Sequence, residues 1–202
     1  DLAIKVQYPG VRESIDADVD NVATLLRISG LLPRELDMAP LLAAAKTQLA
    51  EEADYVREGE QMARFASLLA DSPDFVVPTL DRDFTTDQVL AMDFVEGKPI
   101  ETLESGSQEA RDAAMTKLIS LVLRELFEFG LMQTDPNFAN YRYQPESGRL
   151  VLLDFGAARP VPAATAQGYR RLLQAGMSAD RSAARDAAVA AGFVGVEAVE
   201  RH

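Results

Sequence analysis

An acidic residue at the end of an apolar run is the first feature of this sequence that could do chemistry. Asp154 follows the run Leu-Val-Leu-Leu at 150–153 and precedes Phe155 and Gly156. A carboxylate that leaves a buried strand is well placed to bind Mg²⁺, which takes oxygen ligands and is often shared with substrate phosphates. Such a tripeptide also occurs by chance, and an aspartate at a strand end more often caps a turn. Asp154 is therefore a candidate metal ligand, and the other motifs of the sequence decide how strong this evidence is.

A second acidic residue lies upstream on a short polar stretch, QTDPNFAN at 133–140. Asp135 is followed, after four intervening residues, by Asn140. The catalytic loop of protein kinases has the same spacing, with an aspartate that takes the proton of the substrate hydroxyl and an asparagine that binds a metal ion. Asp-Pro-Asn is equally good turn sequence. The spacing alone leaves both interpretations open.

A lysine near the N-terminus and an acidic segment could supply the phosphate contacts. Lys5 ends the stretch LAIK, which matches the kinase strand whose lysine binds the α- and β-phosphates and pairs with a helix glutamate. The segment EEADYVRE at 51–58 contains Glu52, Asp54 and Glu58. Asp54 and Glu58 share one helix face, which Glu52 would not share in an unbroken helix. Strand lysines and acidic helix faces are usually only solvated, so each residue alone is weak evidence.

The segment VLAMDFVEG at 89–97 is typical of the hinge that holds adenine in kinases. Adenine would bond to backbone groups near Asp93 and Val95, with Met92 lining the pocket. A buried strand followed by a turn would also explain the segment. The order along the chain is stronger evidence, because strand lysine, helix glutamate, hinge, D-x-x-x-x-N and Asp-Phe-Gly occur as a kinase fold requires. Their joint occurrence indicates a kinase-like protein.

Strand and helix signals along the chain can position these residues. Periodicity and turn residues predict strands at 2–8, 88–95 and 149–156, and helices at 15–30, about 37–70 with a break, and 108–129. The expected core face of the last helix is Met115, Leu118, Ile119, Val122, Leu126 and Phe129. Farther along, Tyr169, Leu172 and Leu173 are expected in the core.

The composition excludes several classes of site. With 48% hydrophobic residues, disorder is not expected, and the net charge of −12 disfavours binding to nucleic acid. There is no cysteine, and the only histidine is His202, which excludes disulfides, thiolate metal sites and histidine-based catalysis. No apolar stretch reaches the length of about 18 residues that indicates a membrane helix.

The motifs together resemble the UbiB-like atypical kinases, a family tied to coenzyme Q (ubiquinone) biosynthesis. The matching stretches are IKVQYPGV at 4–11, EADYVRE at 52–58, QTDPNFAN at 133–140 and LLDFGAAR at 152–159. The QTDPN form is similar to the mitochondrial and related bacterial branch, whereas other bacterial members carry HADPHPGN. The resemblance covers almost the whole chain and implies ATP and Mg²⁺ as cofactors.

The resemblance also implies a role for each residue of the N-terminal motifs. By position, Lys5 would bind the phosphates and Glu58 would be its ion-pair partner. Glu52 and Asp54 would form the family's E-x-D pair, which faces the nucleotide and metal. Met92, Asp93 and Val95 would line the adenine pocket.

The C-terminal motifs complete the implied site. Asp135 would be the catalytic aspartate, and Asn140 and Asp154 would be the Mg²⁺ ligands. The family's K-x-G-Q segment and alanine-rich nucleotide loop do not occur in this sequence, so we expect an N-terminally truncated fragment that binds nucleotide weakly or not at all. No A-P-E motif follows Asp154, which disfavours an ordinary protein substrate.

The predicted fold is an α+β, protein-kinase-like two-lobe domain whose N-lobe is incomplete and lacks its first two strands. The N-lobe with inserted helices would span 1–95 and a truncated C-lobe 96–202. The expected function is ATP- and Mg²⁺-dependent phosphoryl transfer to a small or lipid-like acceptor, or ATP hydrolysis, in support of ubiquinone biosynthesis. Partners would be ATP and, through missing segments, a lipid or quinone precursor and a membrane surface, but no nucleic acid.

The motifs leave two alternatives for the function of the protein. One alternative is a small-molecule kinase of the aminoglycoside or choline type, although those proteins usually carry H-x-D where this chain has Gln133-Thr134-Asp135. The other is a non-catalytic scaffold that keeps the kinase fold. The expected location is cytoplasmic or peripheral at the inner membrane in a bacterium, and the matrix side of the mitochondrion in a eukaryote.

Overall fold

Both helices and short strands occur along the chain, which is described over residues 1–29 and 38–194 of a computed structural model. The described strands are β1 (Leu2–Val6), β2 (Phe75–Val76), β3 (Val89–Asp93), β4 (Lys98–Pro99), β5 (Leu131–Gln133), β6 (Tyr141–Gln144), β7 (Arg149–Leu152) and β8 (Ala158–Pro160). The described α-helices are α1 (Val11–Ser29), α2 (Ala39–Glu52), α3 (Tyr55–Leu68), α4 (Gln108–Arg124), α5 (Ala163–Met177) and α6 (Arg181–Ala190). Shorter helical turns are the 3₁₀ turns Ile100–Ser105 and Phe138–Asn140 and the π-helical turn Glu125–Phe129.

Three small sheets are formed by these strands. β1 pairs antiparallel with β3, with Lys5 opposite Leu90 and Ala3 opposite Met92. A four-stranded sheet has the order β2-β7-β6-β4, in which β2 and β7 are parallel and the other pairs are antiparallel. β5 and β8 form the third sheet. Every strand predicted to carry a site residue is present.

The chain divides into two compact units. The larger unit comprises Asp1–Met115 and Thr134–Ala158, and the smaller unit comprises Thr116–Gln133 and the chain from Arg159 onwards. The larger unit contains every residue that the sequence places in the site. The predicted division into lobes at Val95 stays a prediction.

Residues of α3, of the β1–β3 pair and of the four-stranded sheet form the core of the larger unit. Met62 and Phe65 of α3 and Leu90 of β3 are fully buried, as is Leu150 of β7. Burial of such side chains is worth roughly 1.5–3 kcal/mol each. This packing fixes the face of α3 that turns toward β1 and β3.

The predicted break in the second helical segment is confirmed. α2 ends at Glu52, and α3 starts at Tyr55 after Asp54, whose side chain accepts a hydrogen bond from the Arg57 N–H. Aspartate is a preferred residue at this capping position because its side chain satisfies a free backbone N–H of the first turn. The expected helix end at Gly30 and helix start near 37, like His202, lie outside the described residues.

α4 and the π-helical turn together occupy the helix predicted at 108–129, and the division between the two units falls within α4, after Met115. Gly130 ends this segment with a φ of 60°, a left-handed conformation that favours glycine. The predicted core face is wrong in part, because Met115, Ile119 and Val122 are exposed. The buried positions are Ala114, Leu121, Glu125 and Leu126. Apolar side chains occur on several sides of α4, so periodicity could not identify the buried side, and the π turn shifts the register.

The predicted core contribution of Tyr169, Leu172 and Leu173 is also wrong in part. Tyr169 and Leu173 are exposed, while Ala175 is the buried residue of α5. The Tyr169 ring packs against Phe193 at a centroid distance of 4.7 Å. Among the described helices, none combines the length and the low polarity needed to cross a bilayer.

Candidate active site

Three charged side chains from distant parts of the chain meet beside β1. The Lys5 ammonium donates to both carboxylate oxygens of Glu58, at 3.1 and 3.0 Å, and lies 3.4 Å from Oδ2 of Asp154. Glu58 is completely buried, whereas the side chains of Lys5 and Asp154 are 40% and 36% exposed. The cluster therefore presents a cation and a carboxylate to solvent above a buried counter-charge.

The turn between α2 and α3 aligns Glu58 with β1. The Gln7 side-chain amide donates to the Ala53 carbonyl at 2.9 Å, which ties this turn to the residue after β1. Capping by Asp54 then starts α3, so that Glu58 falls in its first turn. A long polar side chain after the strand and an aspartate at the cap thus select Glu58 as the partner of Lys5.

Burial and charge act in opposite directions on the two ionised partners. Burial lowers the pKa of Lys5, but the carboxylates of Glu58 and Asp154 more than offset this and leave it above its ordinary value. Burial raises the pKa of Glu58, and the Lys5 ammonium offsets this only in part. Lys5 is therefore cationic at neutral pH, and its ammonium favours the ionised form of Glu58 while burial opposes it.

Tyr55 is a member of this cluster that the sequence reasoning missed. Its ring lies 5.2 Å from the Lys5 ammonium, within the range of a cation–π contact. Burial raises the pKa of Tyr55, and Lys5 offsets this in part. A tyrosine at the start of a helix carries no special sequence signal, since aromatic residues usually serve packing.

Each residue of the Asp-Phe-Gly segment is in contact with other parts of the larger unit or with its neighbours. Oδ1 of Asp154 accepts a hydrogen bond from the Gly156 N–H at 3.0 Å. The Phe155 ring is buried and lies 5.1 Å from the ring of Phe65 on α3. The end of α2 lies next to Gly156, because a methyl group placed on this glycine would be 3.7 Å from the Glu52 Cα.

The stretch that carries Asp135 is bound to the same segment. The Asn140 carbonyl accepts from the Leu153 N–H at 3.0 Å, directly before Asp154. The Thr134 N–H and hydroxyl both donate to the Ala157 carbonyl, at 3.3 and 2.8 Å. The two candidate motifs are therefore linked by backbone hydrogen bonds at both ends.

Asp135 and Asn140 also contact each other. The Asn140 side-chain amide donates to Oδ2 of Asp135 at 3.2 Å and lies 3.4 Å from its backbone carbonyl. Asp135 is exposed and Asn140 is half-buried. Asn137 closes the turn between them by accepting from the Ala139 N–H. The exposed aspartate is thus oriented by the asparagine five residues later.

The remaining predicted residues lie on the turn between α2 and α3 and on the predicted hinge. Asp54, besides capping α3, lies 3.6 Å from the Arg12 guanidinium, and Glu52 accepts from the Gln48 side chain. On the predicted hinge, Met92 is buried, Asp93 is exposed and Val95 is half-buried. The contacts recorded for Asp54 are therefore with basic and backbone groups of its own neighbourhood.

The oxygen atoms at this site fit Mg²⁺ shared with phosphates. Within residues 1–29 and 38–194, no three His, Cys, Asp or Glu side chains are arranged to hold a metal by themselves. Mg²⁺ is commonly held by one or two carboxylates, with substrate phosphates and water completing its shell. The Asp154 carboxylate and the Asn140 side-chain amide, carried by linked segments, are a donor set of this kind.

Comparison with known proteins places the chain among kinase relatives. Residues 1–188 match the ABC1 atypical kinase-like domain. The mitochondrial atypical kinase COQ8 of Saccharomyces cerevisiae is 39% identical over 193 residues, which are 96% of this chain and 38% of that protein. The mitochondrial atypical kinase COQ8B of Rattus norvegicus is 41% identical over 181 residues, which are 90% of this chain and 34% of that protein. The chain spans well under half the length of these relatives.

A solved structure supports the same fold. The complex of Rv3197 with erythromycin from Mycobacterium tuberculosis matches with a TM-score of 0.73 and 26% identity, covering 93% of this chain and 47% of that one. The predicted α+β, kinase-like fold is therefore confirmed. Together, the match over residues 1–188 and the identities to the COQ8 proteins mean that this chain belongs to the ABC1, or UbiB-like, family of atypical kinases.

Proposed function

We propose that this chain carries the ATP- and Mg²⁺-binding site of an atypical kinase that transfers the γ-phosphoryl group to a small or lipid-like acceptor or to water. The observation that carries the proposal is the contact of Lys5 with both Glu58 and Asp154. This contact holds a strand lysine next to a candidate metal ligand, as phosphate binding by a kinase requires. A solvated surface lysine would have no such fixed position.

Nucleotide binding would use the two ends of the β1–β3 pair. Lys5 would contact the α- and β-phosphates, with Glu58 holding its side chain in place. At the other end, the Asp93 N–H donates to the Thr79 carbonyl and the Phe94 N–H to the Asp1 carbonyl. Adenine is therefore left with the Asp93 carbonyl and the backbone of Val95, beside Met92. Glu52 and Asp54 would face the nucleotide from the α2–α3 turn.

Catalysis would consist mainly of positioning and charge neutralisation, because phosphoryl transfer needs little covalent help from the protein. Asp135 would accept the hydroxyl proton of the acceptor, and its hydrogen bond from Asn140 would keep the carboxylate directed at that hydroxyl. Asn140 and Asp154 would hold Mg²⁺. The bound ion would neutralise the charge of the phosphate oxygens.

The names of the relatives support a proposal for the acceptor and the biological role. COQ8 and COQ8B are named mitochondrial atypical kinases, and the UbiB-like family is tied to ubiquinone biosynthesis. We therefore propose a role in that pathway, with a quinone precursor or another lipid presented at a membrane surface as the acceptor. The smaller-molecule kinases of the aminoglycoside or choline type are disfavoured by the family match.

The test is Mg²⁺-dependent ATP binding, measured by thermal shift and calorimetry on the wild-type chain and two variants. Asp154→Ala removes the candidate ligand. Asp18→Ala is the matched control, since Asp18 is an exposed carboxylate on α1. We expect binding that requires Mg²⁺ in the wild type and in Asp18→Ala, and its loss in Asp154→Ala.

Other outcomes would contradict the proposal. Equal binding by all three proteins would mean that Asp154 is not a ligand. No binding by the wild type would favour the alternative of a kinase-fold scaffold for this chain. If binding behaves as expected, ATP hydrolysis with and without quinone-precursor lipids would show which acceptor is used.

A further inference from the structure

A single arginine on α3 binds the backbone on the far side of the Asp-Phe-Gly segment. The Arg57 guanidinium donates through Nη1 to the Gly156 carbonyl at 2.6 Å and through Nη2 to the Ala158 carbonyl at 2.7 Å. Its side chain is only 22% exposed, and its nearest acid, Glu51, lies 3.8 Å away. The main partners of Arg57 are therefore two backbone carbonyls and not a carboxylate.

These two carbonyls belong to the turn that follows Asp154. The Ala158 N–H donates to the Phe155 carbonyl at 3.0 Å, which closes the turn, and Arg57 binds the carbonyl inside it and the one at its end. The Gly156 N–H in turn donates to Oδ1 of Asp154. Fixing Gly156 from its carbonyl side therefore also fixes the donor that orients the Asp154 carboxylate.

Arg57 and Glu58 are adjacent, so α3 reaches this segment from two directions. Glu58 holds Lys5, which contacts Oδ2 of Asp154, while Arg57 holds Gly156, which contacts Oδ1. Each oxygen of Asp154 is thus linked to the first turn of α3 through one intervening group. Planar guanidinium groups suit this task because they present several donors in a fixed geometry.

We infer that Arg57 is a positioning residue for magnesium binding, which holds the turn at 155–158 so that Asp154 is correctly directed. This inference rests on the proposed function of Asp154 as a metal ligand. Groups that orient a metal ligand typically change metal affinity by about 10- to 100-fold when they are removed. Arg57 acts through Gly156 and needs no contact with ATP or with the ion.

The experiment compares wild type, Arg57→Ala, Arg57→Lys and Arg64→Ala in two measurements. Arg64 is the matched control because it is an exposed arginine on the same helix. Arg57→Lys keeps the positive charge, but a single ammonium does not reproduce the planar two-carbonyl contact. Circular dichroism first establishes that each variant is folded, and Arg57→Lys remains informative if Arg57→Ala is not.

The first measurement is hydrogen exchange of the Gly156 and Ala158 amides in the nucleotide-free chain. Loss of two charge-assisted hydrogen bonds should accelerate their exchange by about tenfold or more in both Arg57 variants and leave Arg64→Ala unchanged. Unchanged exchange in the Arg57 variants would overturn the inference. This result does not depend on whether the chain binds ATP.

The second measurement separates metal from nucleotide. ATP affinity is measured in EDTA and across a Mg²⁺ titration. We expect a Mg²⁺ requirement raised by about 10- to 100-fold in the Arg57 variants, with ATP affinity in EDTA unchanged. The positioning role would be overturned if the Arg57 variants lost ATP affinity equally in EDTA and in Mg²⁺. It would also be overturned if Arg57→Lys behaved like the wild type. Absence of any ATP binding by the wild type would instead reject the proposed function, and exchange alone would then decide whether Arg57 holds the turn.

Discussion

Glu125 in the π-helical turn offers a direct test of the energetics of the smaller unit. Its side chain is only 3% exposed. Burial raises its pKa from 4.5 to about 8, and the backbone N–H of Gln133 offsets this only in part. Glu125→Gln keeps an oxygen that can accept from Gln133 but removes the ionisable group, so it isolates the effect of titration on stability.

The sign of the effect follows from the direction of this pKa shift. Between pH values near 4.5 and 8 the folded chain binds more protons at this position than the unfolded chain, so stability falls as pH rises. A pKa shift of this size lowers the free energy of unfolding by about 4 kcal/mol between about pH 5 and about pH 9. The wild type should lose this amount relative to Glu125→Gln over that range.

The assay is urea denaturation followed by circular dichroism at several pH values. Glu128→Gln is the control, because Glu128 lies on the same turn but is exposed and pairs with Arg124 at 3.2 Å. We expect the free energy of unfolding of Glu125→Gln to exceed that of the wild type increasingly as pH rises, whereas Glu128→Gln follows the wild type. A constant difference between Glu125→Gln and the wild type at all pH values would refute the reasoning.

Three further predictions concern the larger unit. Lys5→Met leaves Glu58 buried without its cation, which raises the pKa of Glu58 further. The variant should therefore lose stability relative to the wild type as pH rises. A difference in the free energy of unfolding that is the same at acidic and alkaline pH would contradict this. Phe155→Ala removes a buried ring that packs against Phe65 and should lower the free energy of unfolding, measured by urea denaturation, by about 3–5 kcal/mol. Phe84→Ala, at an exposed site, should lower it by well under that amount. Asn140→Ala removes the hydrogen bond to Asp135 and should change the free energy of unfolding by at most about 1.5 kcal/mol. The same variant should weaken Mg²⁺-dependent ATP binding, measured by calorimetry. Unaltered binding would mean that Asn140 does not belong to the site.

The order of motifs was sufficient to predict the fold, because each motif belongs to one element of a kinase-like chain. Lys5 lies on a strand, Glu58 on a helix after a break, and Asp154 after a buried strand, as the sequence predicted. Local signals such as a capping aspartate and a strand-ending turn act over a few residues and can be read directly. Their order then restricts the topology more than any single signal does.

Long-range contacts and the choice of buried face could not be predicted in the same way. Arg57 binds carbonyls 99 and 101 residues away, and an arginine within an acidic segment gives no periodic signal. On α4, Ile119 and Leu121 are both large and apolar, yet only Leu121 is buried. Which apolar side chain is covered depends on the tertiary partner, which the sequence of one helix does not contain.

Asp54 shows how one residue can satisfy both the fold and the proposed site. Its Oδ1 is needed in the folded chain because it caps α3 by accepting from the Arg57 N–H at 3.1 Å. Its Oδ2 lies 3.6 Å from Arg12 in a pair whose side chains are 48% and 33% exposed, and pairs of this kind contribute only about 0–1 kcal/mol. The capping oxygen can therefore stay in place while the other loses its contact with Arg12 at little energetic cost. The α3 start that places Glu58 and Arg57 is thus compatible with a nucleotide-facing role for Asp54.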